Sequence, residues 1–269
     1  MGESIGTVLA HPILIAGIGI TWVISSIIYM ALTSIPFIGM FLALVAWIVP
    51  ALALAATLAM AYEGVRGSPS FDHLMEGLEE NWQRMIGAFV VLVMGYMTLM
   101  LTITVGIILL FLFGIVGADM SAGTGGGPAV LSALGVGFLL VMGLVALLVA
   151  VVGIAIQFFD AAIVVGDADV IGSFKTSMSV ARSNPISIVG YTILRGLLVY
   201  VPVVLAVLAG VTGGIAGGVL LSEDLAVFGG FALAFVVFVV SAPVIWTVLS
   251  VYHVSYFTHA SGLRNRGHL

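Results

Sequence analysis

The chain has no cysteine, so none of its 269 residues can form a disulfide or a thiolate metal site. It also has very little charge. Asp, Glu, Lys and Arg make up 7% of it, against about 25% in a soluble domain. So few charges cannot cover a water-facing surface, which excludes a soluble globular protein. The seven Lys and Arg residues form no run and the net charge is −5, which argues against nucleic acid as a partner. Paired catalytic carboxylates and an H-E-x-x-H string are missing as well. No enzymatic activity, cofactor or metal is therefore expected.

What is there is hydrocarbon. Hydrophobic residues are 62% of the chain and the mean hydropathy is +1.33. A membrane-spanning helix needs about 20 apolar residues, and six stretches qualify: 12–33, 36–62, 85–116, 129–159, 185–217 and 226–258. Their apolar residues do not alternate, as barrel strands would, so the spans are helical. The expected fold class is all-α, a polytopic membrane bundle of six transmembrane helices forming one domain over 1–269. Arg66, Arg84, Lys175, Arg182, Arg264 and Arg266 all fall on one side of this topology. The opposite connections carry Asp119, Glu223 and Asp224 and no basic residue. The positive-inside rule then places both termini in the cytoplasm of a multi-pass cell-membrane protein.

One junction is written three times. "HPILIAG" at 11–17 and "NPISIVG" at 184–190 share a frame, and "NWQRMIG" at 81–87 follows it more loosely. Ahead of Asn81 stands "SFDHLMEGLEE", in which Phe71, Leu74, Met75, Leu78 and Trp82 recur at helical spacing. Ahead of Asn184 stands "SFKTSMSVARS", with Phe174, Met178 and Ala181 on one face. Met1, Ile5 and Val8 hold the matching places before His11. Each reads as a short amphipathic helix lying along the cytoplasmic interface. Asn184 is placed to cap the next helix, with Pro185 at its first position. The chain thus divides into three parallel repeats, about 1–69, 70–172 and 173–269, each holding two spans. Gly17, Gly87 and Gly190 fall at one depth, where a small residue lets helices approach. Gly210, Gly214 and Gly218, at four-residue steps, read the same way.

The segment "AAIVVGDADVIGSFKTSMSVARSNPISIVGY", 161–191, resembles a family of six-helix membrane proteins. That family includes the membrane domain attached to some glycerophosphodiester phosphodiesterases and uncharacterised haloarchaeal proteins. The resemblance rests on an apolar helix end, a short acidic turn, Ser-Phe, an interfacial helix and Asn-Pro. It implies a fold and a membrane location. The sequence departs from the family in carrying only Lys175 and Arg182 in that helix, and in leaving no length for a soluble catalytic barrel.

Three residues carry the candidate chemistry. Arg195 is the one Lys or Arg within a span, about 16 Å past Asn184 at 1.5 Å per residue. A charge at that depth needs a partner or water, and Asp160 is the nearest opposite charge by depth and side-chain direction. His253, in "VYHVSYF", aligns with Asp160 in "QFFDAAIVV". The three are expected either to pair structurally or to line a polar cavity. "GDAD" at 166–169 reads as a helix cap rather than a metal site, and "GTGGGP" at 123–128 as a flexible connection. Of three function classes, an intramembrane hydrolase has the least support, and two others remain. One is a non-enzymatic protein that organises lipids, protein partners or a second copy of itself at the cytoplasmic face. The other is a permease or channel built on Arg195, Asp160 and His253.

Overall fold

The computed structural model describes residues 1–35, 46–122, 127–220 and 223–263. Among them every regular element is a helix. Six segments are long and apolar enough to cross a membrane: Ile15–Thr33, Ile48–Arg66, Asp72–Leu109, Gly135–Val164, Pro185–Gly218 and Ala226–Ala260. This is the make-up of a multi-pass membrane protein. The first part of the span expected over 36–62, the cations Arg264 and Arg266, and most of the 123–128 connection lie outside the described residues.

The helices are α1 (Gly2–Ala10), α2 (Ile20–Thr33), α3 (Ile48–Arg66), α4 (Asp72–Ala122), α5 (Gly127–Ile156), α6 (Phe159–Val164), α7 (Val170–Ser183), α8 (Pro185–Val199), α9 (Val201–Leu220) and α10 (Glu223–Ala260). A π-helical turn, Ile15–Gly19, leads into α2. The chain divides into two compact units, one of residues 1–88 and 157–269, the other of 89–156.

The first unit has a core where the N-terminal segment, α3 and α10 meet. Val8, Leu14 and Ile18 pack there with Leu58, Met60 and Ala61 of α3 and with Val248, Val251 and Val254 of α10. Alanines let α3 sit deep in this unit: Ala51, Ala53, Ala55, Ala56 and Ala61 are all buried. The helix stops at Gly67, whose φ of 92° is left-handed, a conformation glycine adopts without steric cost. In the second unit a methyl group added to Gly95, Gly106, Gly135, Gly137, Gly143 or Gly153 would meet nothing within 4 Å. Leu139, Leu140 and Leu144 are exposed there, as side chains facing hydrocarbon should be.

Three junctions differ from expectation. The expected turn at Asn81 does not exist, because α4 runs unbroken through it. No proline follows Asn81, and its buried side chain donates to the carbonyl of Gly77, so nothing interrupts the helix. The 70–82 segment is therefore the first turns of α4 and not a separate interfacial helix. The fourth span breaks at Gln157–Phe158, which puts Asp160 in the short α6. The fifth breaks at Tyr200, two residues before Pro202, which has no N–H to continue the ladder.

At Asn184 the chain turns as expected and Pro185 opens α8, but Asn184 makes no side-chain cap. Its amide donates instead to Ser183 Oγ at 3.0 Å and the Val180 carbonyl at 3.5 Å. The glycines divide too. A methyl on Gly17 would collide with Met60, and one on Gly87 would come within 3.0 Å of Val170. Gly190 has open space around it and packs against nothing within 4 Å.

Candidate functional site

The break at Gln157–Phe158 makes the site. It frees the Phe158 N–H from the helix ladder, and Ser177 Oγ of α7 accepts it at 3.0 Å. The break re-aims the chain so that Asp160, one residue into α6, points inward at 5% exposure. Ser177→Ala would leave that buried N–H without an acceptor, which costs about 1–3 kcal/mol. A fall in the thermal unfolding midpoint, with helical content unchanged at low temperature, is the expected result.

Asp160, His253 of α10 and Tyr191 of α8 meet in this pocket, each at most 5% exposed. His253 Nε2 lies 2.9 Å from Asp160 Oδ1, and the same oxygen accepts the Ala161 N–H at 2.8 Å. Tyr191 OH lies 2.5 Å from His253 Nδ1. For a neutral imidazole the arrangement fits one tautomer. A carboxylate only accepts, so Nε2 carries the hydrogen and donates to Asp160. Nδ1 is then the acceptor, and the tyrosine hydroxyl donates to it. Phe158 stacks on the imidazole at 5.1 Å between centroids and also contacts Tyr191 and Tyr256. An aromatic ring thus covers one face of a group whose edges are hydrogen-bonded.

Arg195 stands one turn beyond Tyr191 on α8. Its Nη1 is 3.5 Å from His253 Nδ1, and it is half-buried. Among the described residues, no carboxylate lies within 4.0 Å of it. The structure therefore brings together the three residues singled out from the sequence, but in a different order. His253 stands between Asp160 and Arg195, where the sequence suggested a direct ion pair. The imidazole edge is where the two opposite charges communicate.

Sequence reasoning missed Tyr191, Ser177 and Phe158. Tyr191 lies four residues before Arg195, hence on the same helical face, and that spacing was the available clue. Beside the network, the Gln157 amide oxygen accepts from Thr192 at 3.1 Å.

The remaining motifs are structural. Asp169 caps α7, accepting from the Gly172 N–H at 2.9 Å. Asp167, with φ of 48°, pairs instead with Arg84, so the two carboxylates of "GDAD" serve different partners. Gly210 packs against Ala234 and Gly230, while Gly214 and Gly218 lie about 4 Å from Ala226. Closer contacts on the same helix pair belong to Gly213, Gly217 and Gly230. A cavity of about 280 Å³ is lined by residues that include Glu63, His73, Glu76, Glu80 and Asn81. No group of three or more acidic or histidine side chains among the described residues is arranged to hold a metal ion. A Gly-Glu-Ser-Ile-Gly string at 2–6 has the spacing of a nucleophile elbow. It lies inside α1 with Ser4 buried at 1% exposure, and not on the strand-to-helix turn that exposes such a serine.

The chain belongs to a family described as a domain of unknown function, DUF7847, whose model matches residues 2–260. No curated protein and no solved structure matches it.

Proposed function

We propose that the protein is a non-enzymatic multi-pass membrane protein that organises protein partners or lipids at the cytoplasmic face. One observation carries this reading: the carboxylate, imidazole and phenol buried at the break are hydrogen-bonded to one another. Asp160, His253 and Tyr191 are buried and hydrogen-bonded in one chain, so each already has a partner inside the protein. In this reading both termini are cytoplasmic, by the distribution of Lys and Arg. α1 and α7 lie along the interface, and the three two-span units insert in one sense. The likeness of 161–191 to the membrane domain attached to glycerophosphodiester phosphodiesterases belongs to the same proposal, as does placement in the cell membrane.

A second reading, a permease or channel, draws on Arg195. Its half-buried guanidinium is linked through His253 to the buried Asp160, which is the order of groups a proton relay needs. Reconstitution of the purified protein into vesicles loaded with a pH-sensitive dye separates the two. Proton leak no faster than in protein-free vesicles is the expected result. A leak that His253→Leu abolishes would overturn the organising role in favour of the relay.

A further inference from the structure

The first turns of α4 pack with one face and leave another bare. Gly77, Asn81, Met85 and Ala88, at helical spacing, are buried. Around the same turns Phe71, Met75 and Trp82 are 51%, 57% and 44% exposed, and with Leu78 they form one apolar strip at spacings of four, three and four. Along its edge run the carboxylates Asp72 and Glu79, with Glu76 and Glu80 farther round the helix, all exposed. Arg84 is the one Lys or Arg between Phe71 and Ala88. It is committed to Asp167 and Asn81.

From these placements we infer that the strip of Phe71, Met75, Leu78 and Trp82 docks a partner protein through an amphipathic helix whose apolar face is edged by Lys or Arg. The inference rests on the organising role proposed above and names the class of partner. Charge decides between a protein and a lipid surface. Helices that lie on membranes carry Lys and Arg on their polar face, and the cytoplasmic leaflet is itself anionic. Asp72, Glu76, Glu79 and Glu80 would be repelled there. The same carboxylates suit a basic helix, whose apolar face covers the strip while its charges meet Asp72 and Glu79. The unbroken course of α4 past Asn81 agrees, because no turn is available to lay this segment flat.

The chain has no cysteine, so Met75→Cys in the full-length protein gives a single site for an environment-sensitive dye. With the labelled protein in phosphatidylcholine nanodiscs, a synthetic Leu/Lys amphipathic peptide should shift the dye emission, and its Leu/Glu counterpart should not. Phe71→Ser with Trp82→Ser should weaken peptide binding about tenfold or more. Asp72→Lys with Glu79→Lys, both at exposed positions, should reverse the preference toward the Leu/Glu peptide. No binding, or equal binding of both peptides, overturns the inference. So does quenching of the dye by lipid-borne nitroxide before peptide is added, which would seat the strip in the bilayer. Concentration-dependent self-quenching would mean that a second copy covers the strip, and it overturns the inference equally. If the peptide fails to bind while vesicles remain proton-tight, only the partner class is wrong. A proton leak that depends on His253 removes the organising role itself.

Discussion

His253→Leu should be the most damaging single substitution in the polar network, lowering stability by about 3–5 kcal/mol. Among the described residues it removes the one side-chain donor to Asp160, leaving a carboxylate at 5% exposure with one backbone N–H. Asp160→Leu should cost less. What it leaves behind is a neutral imidazole N–H, and an unsatisfied neutral donor costs about 1–3 kcal/mol. Arg195→Leu should cost least of the three, since Arg195 is half-buried and its contact to Nδ1 is 3.5 Å long. A direct Arg195–Asp160 ion pair predicts a different order, with Arg195→Leu as harmful as Asp160→Leu. The double change of His253 and Asp160 to Leu should recover much of the loss, because two apolar residues leave no charge to bury. Thermal unfolding of the four variants and the unsubstituted protein in one detergent measures all of this. A double variant no more stable than His253→Leu would show that the two groups do not act as a pair.

That order could not be read from the sequence, although its members could. Charge is so scarce that Arg195 and Asp160 stand out within apolar runs, and the alignment of "VYHVSYF" with "QFFDAAIVV" added His253 at a matching depth. What depth cannot supply is which helix stands between which. The interposition of His253 follows from the break at Gln157–Phe158, and that break is stabilised by Ser177 of α7, a tertiary contact with no local trace. The spans were legible for the opposite reason, since lipid leaves an apolar stretch of that length one backbone solution. Local junctions were legible where proline enforces them, as at Pro185. They were misread where only asparagine suggested them, as at Asn81, which folds its amide back onto Gly77 and lets the helix run on. Tyr191 was passed over because a tyrosine in a span reads as a packing or interface residue until its hydroxyl has a partner.

The glycines yield the second large effect, and it separates close contact from mere occurrence in a span. A methyl on Gly19 would lie 2.6 Å from Cβ of Pro243, and one on Gly230 would lie 2.8 Å from the carbonyl oxygen of Gly210. Neither neighbour is the free end of a flexible side chain. A proline ring and a helix backbone can yield only by moving the helix, and overpacking of that kind costs about 1–3 kcal/mol. Gly19→Ala should therefore loosen the contact between the start of α2 and α10, and Gly230→Ala that between α9 and α10. At Gly190 the same added methyl meets open space. Gly190→Ala removes only the conformational cost of glycine in a helix, so it should be neutral or stabilising by up to about 1 kcal/mol. The three variants share one chemical change, and the sign of the shift in unfolding midpoint distinguishes them. If all three shift alike, the effect is helix propensity alone and the contacts at Pro243 and Gly210 are not close packing. If Gly19→Ala and Gly230→Ala fall while Gly190→Ala holds or rises, α10 is fixed at two separate points by the absence of a side chain.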